Sequence, residues 1–289
     1  MIVRKNIKWL QVESTTKCNA WCPGCGRNQD GFGLAPNLVL QDLSVERLTE
    51  TLQQFTDLDT VHFCGTFGDA IAAKNFVDQL IAAKPYCKKI QINTNGSLRT
   101  TDWWSDLAGL LQDIQHDIWF CLDGLEDTHS IYRQGTDFKT VIANASAFIQ
   151  AGGTASWQFI PWQHNEHQIR DCIKLSQQLG FKNFRFINNV RTNFQARHYR
   201  TGEPVNIVPW SKNTKFSRFA QPRTHVPESA CMHLTQPSVY LNADGRLSVC
   251  CWINQLETFD STDSMPDMRF QLATDPSAIC LKSCGVASA

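Results

Sequence analysis

Cys18, Cys22 and Cys25 lie close together near the start of the chain, at the spacing C-x3-C-x2-C. Three thiolates this near to one another can hold a metal ion or an iron–sulfur cluster, because cysteine is a usual ligand of both. Only three thiols are local, so a four-iron cluster bound here would keep one iron open to an outside ligand. The spacing alone leaves open two alternatives, a zinc site completed by a distant fourth ligand and one half of a disulfide framework.

A second group of cysteines lies near the C-terminus and can form a separate site. Asp244-Gly245 between two apolar runs predicts a β-hairpin that carries Cys250 toward Cys231. Cys250 and Cys251 are adjacent and face opposite sides of a strand, so we expect only one of them to be a ligand.

The last two candidate ligands lie on a predicted helix. Asp275 and Pro276 suit the start of a short helix, on which Cys280 and Cys284 share one face. Together with two thiolates from the hairpin they complete a site of four thiolates. Such a site suits zinc as well as an iron–sulfur cluster.

The composition excludes several classes of protein. The chain has 289 residues, which suits one large domain or one domain plus a small one. Lysine plus arginine balance aspartate plus glutamate at 27 each, so net charge favours neither nucleic acid nor membrane as a partner. No apolar run resembles a signal peptide or a membrane span. We therefore expect a cytoplasmic protein with no membrane contact and no nucleic-acid partner.

Apolar strands alternate with amphipathic helices through most of the chain. The predicted strands are Trp9–Glu13, Thr60–Cys64, Lys89–Asn93, Ile118–Leu122, Ser156–Ile160 and Asn183–Ile187. The intervening helices carry capping signals, among them Ser44 as an N-cap, Gly152-Gly153 as a stop and a capping-box-like start at Asn165. This alternation predicts a parallel sheet, either open or curled into a barrel. Residues 188–229 show no clear periodicity and are interpreted as a solvated connector or, alternatively, as a basic lid over an anionic substrate.

Several loops follow the carboxyl ends of these strands, where parallel folds gather their chemistry. The cysteine loop follows the first strand, and Gly65–Asp69 follows the second. Asn93-Thr94-Asn95-Gly96 follows the third strand, and a segment beginning at Asp123 follows the fourth. Each of these alone is an ordinary turn signal, but together they indicate a functional edge of the sheet.

The spacing C-x3-C-x2-C in the loop after a first strand resembles the signature of the radical SAM superfamily, whose members bind a 4Fe–4S cluster and S-adenosylmethionine (SAM). Gly65–Asp69 resembles the Gly-Gly-Glu-Pro motif of that superfamily, with Asp69 in place of Glu and Ala70 in place of Pro. The backbone of that motif receives the methionyl amine of SAM. The resemblance thus implies a cofactor-binding role for Gly65, Thr66, Gly68 and Asp69.

Two further matches extend the resemblance. Asn95 lies in a segment that resembles the family's third-strand ending. Cys121-Leu122-Asp123-Gly124, followed by Arg133, resembles the family's Ser-Leu-Asp-Gly segment with its downstream arginine. That arginine commonly meets the SAM carboxylate. The resemblance therefore implies cofactor-binding roles for Asn95, Asp123 and Arg133, and 4Fe–4S ligation by Cys18, Cys22 and Cys25.

The resemblance also implies an architecture. It spans about residues 8–187 and implies an α/β fold, a partial (β/α)6 parallel barrel, assigned to residues 1–205. Cys231, a gap, and Gly245-x4-Cys250 resemble the opening of the SPASM or twitch domain. Residues 206–289 are accordingly interpreted as a small twitch domain, a β-hairpin plus a helix. The resemblance implies that it holds one auxiliary 4Fe–4S cluster through Cys231, Cys250, Cys280 and Cys284.

The activity implied by this resemblance is that of a radical SAM oxidoreductase. Such an enzyme cleaves SAM reductively to a 5′-deoxyadenosyl radical, which abstracts hydrogen from a substrate, here a peptide or a small polar metabolite. An auxiliary cluster favours a net oxidation, and a low-potential donor such as flavodoxin or ferredoxin supplies the electron. The alternatives are a redox-neutral reaction such as epimerisation, and a non-catalytic iron–sulfur or zinc protein.

Overall fold

The computed structural model describes residues 7–29, 31–187, 194–211 and 238–248. The fold is mixed α/β, with a mainly parallel central sheet of eight strands. The described residues divide into two compact units. The first unit contains residues 7–17, 40–90 and 238–248, and the second contains residues 18–29, 31–39, 91–187 and 194–211.

The strands of the described residues are β1 (Trp9–Val12), β2 (Leu58–Phe63), β3 (Cys87–Thr94), β4 (Gln115–Cys121), β5 (Ala155–Phe159), β6 (Asn183–Phe186), β7 (Phe194–Arg197), β8 (Pro204–Ile207), β9 (Ser238–Leu241) and β10 (Leu247–Ser248). The α-helices are α1 (Val45–Leu52), α2 (Phe76–Ala83), α3 (Thr101–Leu110), α4 (His129–Tyr132), α5 (Phe138–Gln150) and α6 (Ile169–Gln178). All six predicted strands and the predicted helices between them are confirmed, with shifts at their ends.

The first unit is built around β1, which pairs in parallel with β2 on one side and with β9 on the other. Leu10 and Val12 of β1 are fully buried, so this strand lies in the core. The predicted hairpin is confirmed, since β9 pairs antiparallel with β10 and Gly245 adopts a positive φ of 82° in the turn. The predicted N-cap of α1 is also confirmed, because the Ser44 hydroxyl accepts the Arg47 N–H.

The second unit contains the parallel strands β4, β5 and β6 in that order. One face of these strands packs against α3 and α5 through Trp104, Phe120 and Phe148, whose rings lie within 6.4 Å of one another. Gly152 takes a φ of 91° just after α5, as expected for a glycine that ends a helix. Within the described residues, no helix is both long enough and apolar enough to cross a bilayer.

One element was not predicted, and one local prediction was wrong. Residues 194–207 form an antiparallel hairpin, β7–β8, within the stretch 188–229 that is interpreted as a connector or a basic lid. The side chain of Asn165 does not cap α6, which begins four residues later at Ile169 after a 3-10 turn. Its amide oxygen instead accepts the Trp162 N–H at 2.7 Å, and its amide nitrogen donates to carbonyl oxygens of Asp123 and Ile160. The polar side chain is buried and serves tertiary contacts, which override local capping preference.

Candidate active site

The cysteine loop, residues 18–25, lies in the second unit and follows β1 after a segment of five residues, 13–17. All seven cysteines of the described residues are reduced thiols outside disulfide bonds, including Cys18, Cys22 and Cys25. Cys22 is buried in an apolar cluster with Tyr132 and Trp162, and Cys18 and Cys25 pack against the same cluster. The structure therefore brings the three predicted ligands together in one apolar environment.

Each of the three sulfur atoms accepts a hydrogen bond from nitrogen. The Ala20 N–H reaches the sulfur of Cys18 at 3.3 Å, and the Arg27 N–H reaches that of Cys25 at 3.5 Å. Hydrogen bonds to cysteine sulfur are one of the means by which proteins hold iron–sulfur clusters and tune their potential.

Two predicted cofactor residues supply further donors. The Asn95 amide donates to the sulfur of Cys18 at 3.5 Å, and a guanidinium nitrogen of Arg133 approaches the sulfur of Cys22 at 3.8 Å. The donor set thus fits a thiolate-bound iron–sulfur cluster in its chemistry. Among the described residues, no three or more Cys, His, Asp or Glu side chains lie close enough together to hold one metal ion.

Burial governs the chemistry of Cys22. It raises the pKa of this thiol to about 11, against the opposing charge of Arg133. Cys22 is consequently a thiol at neutral pH in the absence of a metal, and binding of a metal must displace its proton.

Asp123 and Arg133 form a buried ion pair beside the cysteine loop. Arg133 donates from Nε to Oδ2 of Asp123 at 2.6 Å, and the Asp123 side chain has no exposed surface. The other carboxylate oxygen of Asp123 accepts the Ile160 N–H, also at 2.6 Å. Burial alone would lower the pKa of Arg133, but Asp123 and Cys22 raise it well above its usual range. Both oxygens of Asp123 are thus engaged with protein, and the carboxylate orients Arg133.

Asn95 is held in place by its own loop. Its amide oxygen accepts the Ser97 N–H at 2.9 Å and the Ser97 hydroxyl at 2.6 Å, and its nitrogen also donates to Asn19 at 3.0 Å. Because its oxygen has donors on the loop, its nitrogen is directed toward Cys18. Asn19, which sequence reasoning did not single out, joins the cysteine loop to the loop after β3.

His129 serves the fold of this region. Its Nδ1 accepts the Asp123 N–H at 3.2 Å, and its Nε2 lies 2.9 Å from the Thr136 hydroxyl. Burial lowers the pKa of His129 to about 3, with Arg133 adding to the effect. A histidine that stays neutral and fully bonded in this way is a structural group.

The glycine loop, residues 64–69, lies in the first unit after β2. Glu13 is buried at the end of β1, and its Oε1 accepts the Phe67 N–H at 2.7 Å and the Gly68 N–H at 3.3 Å. The Thr66 N–H donates to the Tyr240 hydroxyl at 3.3 Å. Tyr240 also hydrogen-bonds the Glu13 carboxylate. Three successive backbone N–H groups thus converge on Glu13 and its bonded partner Tyr240, in the arrangement of an anion-binding nest.

Two glycines are required by close backbone packing in this loop. A Cβ on Gly68 would lie 1.7 Å from the carbonyl oxygen of Thr15, and one on Gly65 would lie 2.9 Å from Oε1 of Glu13. The Asp69 carboxylate accepts the Ile71 N–H at 3.1 Å and begins a 3-10 turn. The cofactor-binding roles assigned to Gly65, Thr66, Gly68 and Asp69 stay predictions.

Burial raises the pKa of Glu13 to about 7, although the N–H groups of Phe67 and Gly68 and the Tyr240 hydroxyl act in the opposite direction. Sequence reasoning missed Glu13 and Tyr240. The available signal was an acidic residue closing an apolar strand, directly before a cysteine motif. Cys231, Cys250, Cys251, Cys280 and Cys284, the predicted second site, lie outside the described residues.

No protein-family model matches the sequence, and no curated protein matches it. Several solved structures share its fold. The crystal structure of SuiB from Streptococcus suis bound to SAM has a TM-score of 0.65 at 13% identity, covering 95% of this chain and 67% of that chain. SuiB bound to the precursor peptide SuiA has a TM-score of 0.63 at 13% identity, covering 95% of this chain and 66% of that one.

A second protein, anSMEcpe, also has a similar fold. The structure of tagged anSMEcpe with bound SAM has a TM-score of 0.52 at 16% identity. The match covers 68% of this chain and 54% of that chain, so the chain spans about half the length of anSMEcpe. Both of these structures contain bound SAM. At these identities the likeness establishes the fold, and this chain has the α/β fold found in these two SAM-binding proteins.

Proposed function

We propose that this protein is a radical SAM enzyme in which Cys18, Cys22 and Cys25 hold a 4Fe–4S cluster. The observation that supports the proposal is that Cys22 lies in one apolar cluster and Cys18 and Cys25 pack against it, each with a nitrogen donor at its sulfur. The likeness to SuiB and anSMEcpe in fold supports the same assignment. With SAM bound, such a cluster supplies the electron for reductive cleavage and thereby the radical that removes a substrate hydrogen.

The residues of this chain supply binding and orientation. Arg133, oriented by Asp123, is proposed to receive the SAM carboxylate, since a guanidinium pairs well with a carboxylate. Asn95 lies at the sulfur of Cys18 and is proposed to border the same site. The glycine loop is proposed to receive the SAM amine through its backbone carbonyl groups.

The substrate is proposed to be a peptide, with a small polar metabolite as the other candidate. SuiB in complex with its precursor peptide supports the first choice, because that protein shares this fold. We further propose a net oxidation, assisted by an auxiliary 4Fe–4S cluster on Cys231, Cys250, Cys280 and Cys284 in a twitch domain at residues 206–289. A low-potential cytoplasmic donor, flavodoxin or ferredoxin, would supply the electrons. Residues 1–205 are proposed to form a partial (β/α)6 barrel.

Metal analysis of the anaerobically reconstituted full chain tests the cluster assignment. Wild type is expected to contain about eight irons and an equal amount of sulfide per chain. Alanine at Cys18, Cys22 or Cys25 should remove about four irons, whereas Cys172→Ala, at a buried core position, should remove none. Addition of SAM should change the EPR signal of the reduced wild type and leave the Cys22→Ala signal unchanged.

The alternatives predict different results. Zinc in place of iron at the N-terminal cysteines would contradict the proposal and favour a zinc-stabilised binding module. A protein with the expected iron content whose EPR signal does not change on addition of SAM would favour a non-catalytic electron carrier. A redox-neutral reaction, such as epimerisation, would leave the product mass equal to the substrate mass.

A further inference from the structure

We propose that Glu13 and Tyr240 are positioning residues for the amino group of SAM, acting through the glycine loop that they hold. The inference rests on the proposed function, because it concerns the same cofactor. It goes beyond that function in naming two residues, one directly after β1 and one on β9, that match no part of the motif from which the SAM site was inferred.

The first step is the direction of the loop's N–H groups. Those of Phe67 and Gly68 point at Oε1 of Glu13, at 2.7 and 3.3 Å, and that of Thr66 points at the Tyr240 hydroxyl at 3.3 Å. The Tyr240 hydroxyl also lies 3.3 Å from the Thr66 hydroxyl. Three consecutive peptide units are therefore fixed in orientation by two side chains.

The second step is the direction of the carbonyl groups. The described residues contain no cis peptide bond, and in a trans peptide the N–H and the preceding C=O point in opposite directions. The carbonyl groups of Gly65, Thr66 and Phe67 consequently point away from Glu13 and Tyr240. Carbonyl oxygens on the face of the loop away from these two side chains are hydrogen-bond acceptors, and an ammonium group has three N–H donors to offer them.

The third step is rigidity. Glu13 directly follows β1 and Tyr240 lies on β9, and their neighbours Val12 and Leu241 have no exposed surface. The Glu13 N–H also donates to the Leu241 carbonyl at 2.9 Å, which joins the two strands where they leave the sheet. Because the loop is held by Glu13 at the end of β1 and by Tyr240 on β9, the orientation of its peptide groups is set before any ligand binds, and the ordering cost of binding is reduced.

Glu13 also contributes to the requirement for glycine at position 65. A side chain at Gly65 would intrude on Glu13 itself, with its Cβ 2.9 Å from Oε1. The carbonyl oxygen of Gly68 would lie 2.8 Å from the same Cβ, so the loop backbone and Glu13 together favour glycine at this position.

Binding of two ligands tests the inference: SAM, and the SAM analogue that lacks the α-amino group. Affinities are measured by equilibrium dialysis on the anaerobically reconstituted full chain. Wild type should prefer SAM over the analogue by at least about tenfold, the usual effect of one charge-assisted interaction. Glu13→Ala should weaken SAM binding by about tenfold to a hundredfold while changing analogue binding by less than about threefold.

Milder variants guard against a loss of folding. Tyr240→Phe keeps the ring and removes only the hydroxyl, so it should weaken SAM binding by about threefold to tenfold and spare the analogue. Glu13→Gln places a carbonyl oxygen where Oε1 lies and should restore affinity to within about threefold of wild type. Tyr86→Phe, which removes a hydroxyl elsewhere in the same unit, is the matched control and should change neither affinity.

The outcomes separate this inference from the proposed function. If wild type does not bind SAM, the proposed function fails and the inference fails with it. If wild type binds and prefers SAM but the Glu13 and Tyr240 variants keep the full preference, the inference alone is overturned. Equal losses of affinity for SAM and for the analogue would overturn it too, because they would show that Glu13 and Tyr240 stabilise the loop without any specific effect on binding of the amino group. Iron content should stay at the wild-type value throughout.

Discussion

The guanidinium of Arg133 meets the carboxylate of Asp123 at 2.6 Å, and the carboxylate is completely removed from solvent. Charges are buried in this way only when they are paired, because desolvation of a lone carboxylate is very costly. The pair holds Arg133 against the thiol of Cys22, at 3.8 Å. The position of Arg133, and the positive charge that it places beside Cys22, thus depend on its ion pair with Asp123.

Asp123→Asn should lower the free energy of unfolding by about 3 to 5 kcal/mol, because it leaves Arg133 as an unpaired buried charge. Urea denaturation of the metal-free protein measures this change. Glu126→Gln is the matched control, because it removes an exposed ion pair with Lys139. The side chains of Glu126 and Lys139 are 62% and 72% exposed, so the substitution should change the free energy of unfolding little. Equal effects of the two substitutions would contradict the role assigned to burial.

Two glycine-to-alanine substitutions should have opposite effects on the stability of the protein. Gly68→Ala should destabilise the protein by about 3 kcal/mol or more, because its Cβ would overlap the Thr15 carbonyl oxygen at 1.7 Å. Gly109→Ala lies in α3, where the added Cβ meets nothing within 4 Å, and should stabilise by about 0.5 to 1 kcal/mol. Thermal unfolding followed by circular dichroism gives both values. A tolerated Gly68→Ala would mean that the loop lies farther from β1 than described.

Most of the regular structure was predictable because each element carries its own signal. The apolar spacing behind Ser44 and the glycine pair at 152–153 fixed the limits of α1 and α5 to within a few residues. The strands β1 to β6 follow from apolar runs of the right length. The hairpin β7–β8 was missed because its strands are four residues each and too short for a periodic pattern.

The candidate site was predictable only in part. Its cysteines and Arg133 stand in recognisable spacings, whereas Glu13 is a single acidic residue whose importance depends on a loop 54 residues later in the chain. Tyr240 reaches the same loop from 174 residues away. Asn165 shows the converse, since a valid local capping pattern lost to tertiary hydrogen bonds. Long-range polar contacts of this kind leave no trace in sequence spacing.

Glu13 should make the stability of the protein depend on pH. Its pKa is raised from 4.5 to about 7 by burial, so the folded state binds the proton more tightly than the unfolded state does. Its contribution is therefore fully present at low pH and is lost as the pH rises through about 7. Wild type should lose about 2 to 3 kcal/mol relative to Glu13→Gln between about pH 5 and pH 8. Urea denaturation of both proteins across this range measures the difference, and parallel curves would contradict the burial of Glu13.

His129 should have the opposite dependence. Burial lowers its pKa from 6.5 to about 3, so its contribution is present above pH 6.5 and is lost as the pH falls toward 3. Wild type should lose about 3 kcal/mol relative to His129→Gln between about pH 7 and pH 4. Acid titration followed by near-ultraviolet circular dichroism tests this expectation. A histidine signal that titrates near neutrality by NMR would show that the ring is exposed.

Reductive cleavage of SAM tests the central claim most directly. The anaerobically reconstituted full chain, given SAM and dithionite, should form 5′-deoxyadenosine and methionine, measured by mass spectrometry. The Cys18→Ala, Cys22→Ala and Cys25→Ala variants should form neither, and Cys172→Ala should match wild type. Absence of 5′-deoxyadenosine from a wild-type protein that carries its full iron and binds SAM would contradict the account.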